Sequence, residues 1–319
     1  MKETIKRPLV ILTGPTAVGK TALSIALAKA VGGEIISADS MQVYRRMDIG
    51  SAKITREEMA GVPHHLIDVL EPTEEFNVVV FQKLAKQVVG EIYGRGHIPI
   101  VVGGTGFYIQ ALLYDIDFTE NDEDTALRQS LEEQARREGP EALYERLRAV
   151  DPESCESIHA HNLKRVIRAI EFYEKTGKKI SEHNREQRQN ASPYRFAYFV
   201  LTDSRDRIYQ RINERVDLMM AQGLEAEVRA LRESGCRRDM VSMQGLGYKE
   251  ILSALEGKIS MEEAVYLIKR DTRHFAKRQL TWFRREKEVT WIDKTVFDQN
   301  SQNILGFMQD FLREKGIIL

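Results

Sequence analysis

Cysteine is nearly missing from this chain: Cys155 and Cys236 stand far apart, with no Cys-x-x-Cys spacing. Two such residues supply neither a disulfide framework nor a zinc knuckle, and a reduced, cytoplasmic protein is the expectation. Long apolar runs are missing as well. None approaches the ~18 residues of a membrane span, and Met1-Lys-Glu-Thr-Ile-Lys-Arg7 leads toward a strand-like segment rather than a secretory leader. Neither sign of charge is in excess, with 47 Lys and Arg against 48 Asp and Glu. That balance excludes a protein coated in positive charge but leaves room for a local basic surface. Eight prolines and 42% hydrophobic residues exclude disordered and collagen-like chains. A length of 319 residues, at roughly 100–200 per domain, predicts about two domains.

What is present begins with alternating strands and helices. Pro8-Leu-Val-Ile-Leu12 is a short apolar run suited to a strand buried on both faces. A glycine-rich loop follows, and then Ala22, Leu23, Ala26 and Ala30 recur at helical spacing up to Gly32-Gly33. Glu34-Ile-Ile-Ser37 reads as a second strand that delivers Asp39 and Ser40 past its end. Thr73 is the expected cap of a helix carrying Phe76, Val80, Leu84, Val88 and Ile92, stopped by Gly94 and Gly96. Ile98-Pro-Ile-Val-Val102 is the next strand and runs into Gly103-Gly-Thr-Gly106. This alternation predicts right-handed crossovers and a doubly wound parallel sheet.

The pattern changes near Asp115. From Glu120 to about Arg188 only helical stretches are legible, such as Leu127–Glu138 and Leu163–Lys175. Arg195–Leu201 then reads as a returning strand. Asp203 or Ser204 caps a helix with Ile208, Ile212 and Val216, ended by Gly223, and Val289–Ile292 is the expected last strand. The fold class expected is therefore α/β: a P-loop NTPase-like parallel sheet over 1–116 and 190–319, with an all-helical domain inserted at 117–189.

Gly14-Pro15-Thr16-Ala17-Val18-Gly19-Lys20-Thr21 matches G-x-x-x-x-G-K-S/T in full and sits between a strand and a helix. Glycines there let backbone N–H groups converge on phosphate oxygens, the helix dipole and Lys20 add positive charge, and Thr21 offers a hydroxyl to Mg²⁺. The motif points to a di- or triphosphate and is silent on which molecule carries it, ATP included. Residue chemistry leaves three roles open for Asp39: helix cap, Mg²⁺ ligand or general base. For Thr105 a structural turn and a ligand contact stay equally open. Lys269–Lys287 holds eight basic residues against two acidic ones, mixed with Trp282, and Lys164–Arg188 holds eight against four. One such run is commonly a solvated helix face; two flanking a phosphate-binding core favour a polyanionic substrate. His64-His65 and His159-x-His161 lack Cys partners or a His-Glu-x-x-His helix, so turn and loop positions are preferred over a metal site.

Several blocks together resemble the bacterial tRNA dimethylallyltransferases. They are the Gly14–Thr21 loop, Asp39-Ser-Met-Gln-Val-Tyr44, Met47-Asp-Ile-Gly-Ser-Ala-Lys53, Pro63-His-His-Leu-Ile-Asp68 and Val102-Gly-Gly-Thr105. Further on come Gly223-Leu-Glu-Ala-Glu-Val228, Gly245-Leu-Gly-Tyr-Lys249 and Lys277-Arg-Gln-Leu-Thr-Trp-Phe-Arg284. The similarity spans nearly the whole chain in order, and the lack of a C-terminal zinc finger matches the shorter bacterial form. It implies transfer of a dimethylallyl group from dimethylallyl diphosphate to N6 of the adenosine 3′-adjacent to the anticodon, with Mg²⁺ present. It also implies Asp39 as general base, the loop as diphosphate holder, Thr105 at the substrate, and Arg215 at the diphosphate. Carried over to tRNA contact are Asp39, Ser40, Met41 and Gln42; Thr105; Arg128; and Lys164, Arg165 and Arg168. Gln244, Gly245, Gly247, Tyr248 and Lys249, and Lys277, Arg278, Gln279, Trp282 and Arg284, complete that set. Some relatives have Arg and Cys ahead of Val-Gly-Tyr-Arg where this chain has Gln244-Gly-Leu-Gly-Tyr-Lys249, so no base is assigned to Gln244. The expected partner is a tRNA anticodon stem-loop held between the two domains of a monomer. The rival readings are a small-molecule P-loop kinase and a non-catalytic, nucleotide-dependent RNA-binding protein.

Overall fold

The computed structural model describes residues 6–118, 125–187 and 189–319. The acidic segment Glu120–Asp124 and the last cation of one basic run, Arg188, lie outside the described residues. The chain forms two compact units, one joining the N-terminal part up to Leu113 with Pro193–Leu319, the other Tyr114–Ser192.

The first unit is built on six parallel strands in the order β3-β2-β4-β1-β5-β6. These are β1 (Arg7–Thr13), β2 (Gly33–Ala38), β3 (His64–His65), β4 (Ile98–Gly103), β5 (Tyr194–Thr202) and β6 (Val289–Asp293). Side chains of both parities are buried along the central strands. Val10 and Leu12 join Ile35, Ile100 and Phe199 in one core, while Leu9, Ile11, Ile36 and Val101 are equally buried on the opposite side. Burial on both faces explains why the strands read as continuous apolar runs without alternation. The first helix, α1 (Lys20–Val31), covers one face together with the last, α14 (Ser301–Glu314). Gly32, in the left-handed conformation at φ 63, ends α1 and lets β2 start at once.

A short α2 (Arg56–Met59) opens on a Thr55 capping box, and α3 (Val78–Gly94) packs on β2 and β4. Asn77, not Thr73, caps α3: its side chain accepts from the N–H groups of Val79 and Val80. Phe76 therefore lies outside the helix, buried edge-on against Tyr44, Phe81 and Tyr108. Asn and Thr are both favoured caps, and the side chain that reaches the first free N–H groups decides. After β4 comes α4 (Gly106–Leu113). The second unit holds α5 (Thr125–Glu138), α6 (Pro140–Val150), α7 (Pro152–Cys155), α8 (Leu163–Thr176) and α9 (Ile180–Gln187), with no strand among its described residues. Its core is a strip of Leu131, Leu143, Leu147, Val166 and Ile170. Asp151, also buried, accepts from the N–H and hydroxyl groups of both Ser154 and Ser181. Burial pulls its pKa upward, and these hydrogen bonds outweigh that and leave it lowered.

Back in the first unit, β5 leads into α10 (Arg205–Ala221), capped by Ser204, then α11 (Leu224–Glu233), α12 (Tyr248–Leu255) and α13 (Met261–Phe283). At 23 residues α13 is long, and it packs on α10 and α12 while touching α4.

The start of β2 carries a charge network that the sequence pattern hides. Glu34, 2% exposed at its side chain, receives a two-pronged bond from Arg95 (2.9 and 2.7 Å) and contacts from His65 and His97, both 2.7 Å. This is where the paired histidine His65 goes, while its neighbour His64 bonds the Val62 carbonyl. Among the described residues no three His, Cys, Asp or Glu side chains are grouped to hold a metal.

The Arg95 bond above all holds the Glu34 pKa down at about 2, against an ordinary 4.5. A lowered folded-state pKa stabilises the protein fully above the unfolded value and ceases to do so as pH falls from about 4.5 toward 2. Arg95 is 45% exposed, so water compensates part of its loss of partner. Glu34→Gln should therefore cost about 2 kcal/mol in urea unfolding at pH 7. The gap to wild type should narrow at pH 3; an equal gap at both pH values would refute the assignment.

Candidate active site

A parallel sheet delivers its functional turns at the carboxyl ends of its strands, and three turns meet at that edge. After β1, the loop Gly14–Thr21 wraps toward the start of α1. Gly14 (φ 142) and Gly19 (φ 97) take backbone angles that L side chains rarely adopt. The loop's apolar side chains turn inward: Val18 joins the sheet core, and Ala17 packs with Ile208, Ile212 and Ala276 of α10 and α13. Pro15, Ala17 and Val18 thus shape the loop from beneath; the Val18 N–H bonds the Pro15 carbonyl (3.4 Å), and the N–H groups at the start of α1 are the ones left for an anion. Thr21 is exposed at the second position of α1, where its hydroxyl can serve a Mg²⁺ ion. Mg²⁺ commonly binds one or two protein oxygens and fills the rest of its shell with phosphate oxygens and water, so a single hydroxyl here fits such an ion.

Lys20 Nζ donates to the carbonyls of Gly14 (3.0 Å) and Pro15 (2.9 Å). Burial pushes its pKa down to about 8; the charge of Arg215 pushes the same way, and Asp39 opposes them. Arg215, on α10, is likewise lowered by burial, with Asp39 and Glu58 pulling it back up. Lys20, Arg215 and Asp39 therefore share one electrostatic neighbourhood, two cations and a carboxylate. The carboxylate comes from the second turn, after β2. Asp39 Oδ1 accepts from the N–H groups of Met41 (2.8 Å) and Gln42 (3.2 Å), a capping role for one oxygen. Oδ2 accepts no hydrogen bond among the described residues. The third turn, after β4, carries Thr105, whose N–H donates to the Ala38 carbonyl (3.3 Å) and whose own carbonyl receives Tyr108 N–H (3.0 Å). This ties the Thr105 turn to the last residue of β2, directly before Asp39.

The remaining candidates divide by place. Lys277, Arg278 and Trp282, with His274, Thr281 and Arg285, line a hollow of about 370 Å³ on α13. Arg284 is exposed just past the helix end. The first part of that basic run is engaged within the protein: Arg270 bonds Asp271, and Arg273 bonds Asn213 (2.7 Å). The end of the run, by contrast, is solvated, with Lys277, Arg278, Arg284, Arg285 and Lys287 all exposed. Gln244 is exposed and donates to the Arg238 carbonyl; Lys249 is partly exposed beside Glu250. Gly245, Gly247 and Tyr248 are buried, and Met41 packs against Gly245. In the helical unit, Arg128 of α5 forms a two-pronged bond with Glu171 of α8 (3.1 and 2.8 Å), and Lys164, Arg165 and Arg168 are exposed along α8.

The profile of the IPP transferase family matches residues 42–286, and that of an isopentenyl transferase family matches 8–71. A tRNA dimethylallyltransferase of Lachnoclostridium phytofermentans is 61% identical over 98% of this chain and 99% of its own length. One from Carboxydothermus hydrogenoformans is 50% identical over 97% of each. The chain belongs to the IPP transferase family. Among solved structures, the full-length tRNA isopentenylpyrophosphate transferase of Bacillus halodurans aligns over 98% of both chains at 45% identity, with a TM-score of 0.73. A eukaryotic dimethylallyltransferase described as acting on tRNA aligns over 97% of this chain and 80% of its own, at 30% identity and TM-score 0.80.

Two features of this IPP transferase escape a reading of its sequence. Gln279, expected at the RNA, is buried with both ends of its amide in use. Its Oε1 accepts from Thr16 N–H (2.8 Å) and its Nε2 donates to the Gly104 carbonyl (2.9 Å), fastening the phosphate-type loop to the Thr105 turn. Tyr248, also expected at the RNA, is fully buried and donates its hydroxyl to Glu227 (2.8 Å). A helical face that looks exposed by composition gives no sign that an amide spans two loops. Only the glycines facing Gln279 and Tyr248 hint at such closeness.

The lowered Lys20 pKa has a measurable sign. A cation that must hold its proton to attract an anion loses affinity as pH rises through its own pKa. Diphosphate affinity of the wild type should fall above about pH 8 relative to Lys20→Arg, by up to about tenfold per pH unit. Titrating inorganic diphosphate into both proteins cancels the titration of the ligand; parallel profiles would exclude Lys20 as the responsible group.

Proposed function

We propose that the chain transfers a dimethylallyl group from dimethylallyl diphosphate to N6 of the adenosine 3′-adjacent to the anticodon of tRNA, releasing diphosphate. The observation that carries this reading is the Asp39 turn, with Oδ1 held by Met41 and Gln42 N–H groups past the end of β2, whose charge acts on both Lys20 of the Gly14–Thr21 loop and Arg215. A kinase or a passive RNA-binding module has no use for family membership among prenyl transferases.

In this reading the loop N–H groups, Lys20 and Arg215 hold the diphosphate. As the allylic C–O bond breaks, its electron pair leaves on the bridging oxygen, and the cations stabilise that growing charge more than the ground state. Mg²⁺ at Thr21, when bound, would neutralise part of the diphosphate charge. The N6 lone pair is delocalised into adenine, which makes N6 a weak nucleophile. Asp39 takes the N6 proton as the N6–C bond forms, and the Met41 and Gln42 N–H groups hold Oδ1 so that Oδ2 faces the work. Thr105 offers its hydroxyl to the same site. The base must leave its stack to enter, at a cost of a few kcal/mol that is least in a loop. Lys277, Arg278, Arg284 and Trp282 supply phosphate contact and stacking for that loop, with Ser40, Met41, Gln42, Gln244 and Lys249 beside it. Arg128, Lys164, Arg165 and Arg168 add backbone contacts from the helical unit. All of these groups come from one chain, and we take the working unit to be a cytoplasmic monomer.

Incubation with dimethylallyl diphosphate, Mg²⁺ and unmodified tRNA should yield N6-dimethylallyladenosine by nucleoside mass analysis; an unmodified product pool would end the proposal. Asp39→Ala should lower kcat about a hundredfold or more while tRNA affinity holds. Retained turnover in that variant would remove Asp39 as base. Binding of tRNA should weaken steeply, by about tenfold or more, between 50 and 200 mM salt. A flat response would deny the role of the α13 cations.

A further inference from the structure

The segment after Asp39 continues into Met47–Lys53, a stretch without regular structure that three chain regions hold in place. Consecutive N–H groups of Asp48, Ile49 and Gly50 point at the Glu227 carboxylate of α11, at 2.8, 2.8 and 3.1 Å. The Tyr248 hydroxyl donates to the same carboxylate at 2.8 Å. Four donors on one carboxylate exceed what a surface Glu on an amphipathic helix needs for solubility, and they come from two segments far apart in sequence. Gly50 is pressed so close to the Tyr248 ring that a Cβ would lie 2.6 Å from a ring carbon. Burial first, and then the Glu227 charge, drive the Tyr248 pKa well above its ordinary value, so the hydroxyl stays a donor throughout the working pH range.

From this anchor two chains of contact run to the site. One passes through the carbonyls of Ser51 and Ala52, which accept from Gln42 Nε2 (3.4 and 3.3 Å), and Gln42 N–H in turn bonds Asp39. The other passes through Tyr248 into Gly245–Lys249, where Gly245 packs on Met41 in the Asp39 turn. We infer that Glu227 is a positioning residue for the reaction: it locks the 48–50 segment and Tyr248 to one point, and so holds the Asp39 turn in register with the segment that meets the RNA. The inference rests on the reading of Asp39 as general base. Glu227 touches neither substrate in this arrangement; it acts through the backbone it orders. The phosphate-binding loop is fastened separately, by Gln279. Loss of Glu227 should therefore misplace the base and leave the diphosphate site intact.

The test is a double-mutant cycle with full-length protein, tRNA and dimethylallyl diphosphate. Glu227→Gln should lower kcat about ten- to a hundredfold, as misplacement of a catalytic group does. The KM for dimethylallyl diphosphate should stay within about twofold. In an Asp39→Ala background the same substitution should cost less than about twofold more, because the group it positions is gone. Tyr248→Phe keeps the ring against Gly50 and removes one donor, so it should show the same pattern at reduced size, and it serves if Glu227→Gln unfolds. Equal losses in both backgrounds, or a diphosphate KM rising in step with the fall in kcat, would overturn the inference and leave Glu227 a general structural contact. An Asp39→Ala enzyme with full turnover would instead defeat the general-base reading, and the inference with it.

Discussion

Everything at the carboxyl edge of this sheet depends on how closely three turns and one long helix approach, in a space with no room for side chains. A Cβ on Gly103 would lie 2.3 Å from the Ala38 carbonyl oxygen, and one on Gly104 2.1 Å from Gln279 Nε2. One on Gly106 would collide with the Trp282 indole at 2.2 Å. Real Cβ atoms do not tolerate such distances. The glycines after β4 therefore act less as flexible joints than as missing volume, and α13 fills it. Gln279 exploits the gap: from within the helix it reaches the N–H of Thr16 on one loop and the carbonyl of Gly104 on another. A buried amide with both ends satisfied is directional, and it sets the distance between the anion loop and the Thr105 turn.

In the proposed reading, that fastening helps a protein with no excess of positive charge prepare a site for a diphosphate. Net charge counts the whole chain, and anion binding depends on the few cations that converge. Lys20 and Arg215 are drawn together at a cost visible in both pKa values, which burial and, for Lys20, mutual repulsion lower. The backbone N–H groups of the loop add partial positive charge with no further repulsion of that kind. The α13 cations around Trp282 differ in setting: they stand on an open surface where they stay solvated and are screened by salt.

Much of this was legible from residue order. The strands β1, β2, β4 and β5 stood out as apolar runs because burial on both faces removes alternation, the edge strand β6 was legible from its short Val-Thr-Trp-Ile run, and the P-loop spacing carried its own strand and helix context. The helical block was legible from the absence of any strand pattern. What remained hidden was made by contacts distant in sequence. The cap of α3 was read as Thr73 and is Asn77, because propensity alone does not say which good capping residue reaches the free N–H groups. The two-residue β3 is too short for any period, and its histidine is recruited by Glu34 from another strand. Gln279 and Tyr248 sit within segments that resemble RNA-contacting ones, yet the structure turns them inward, since similarity of a segment does not say which side of it faces the ligand.

The position of Asp39 carries a consequence for the order of events in the proposed reaction. Without substrate its carboxylate is the counter-charge of Lys20 and Arg215, and it favours the protonated state of both. Diphosphate, with several negative charges, competes for the same cations. As they turn toward it, Asp39 is left without its counter-ions and is free to receive the N6 proton in the proposed reaction. In that reading the donor binds first, and its own charge releases the carboxylate that the acceptor needs.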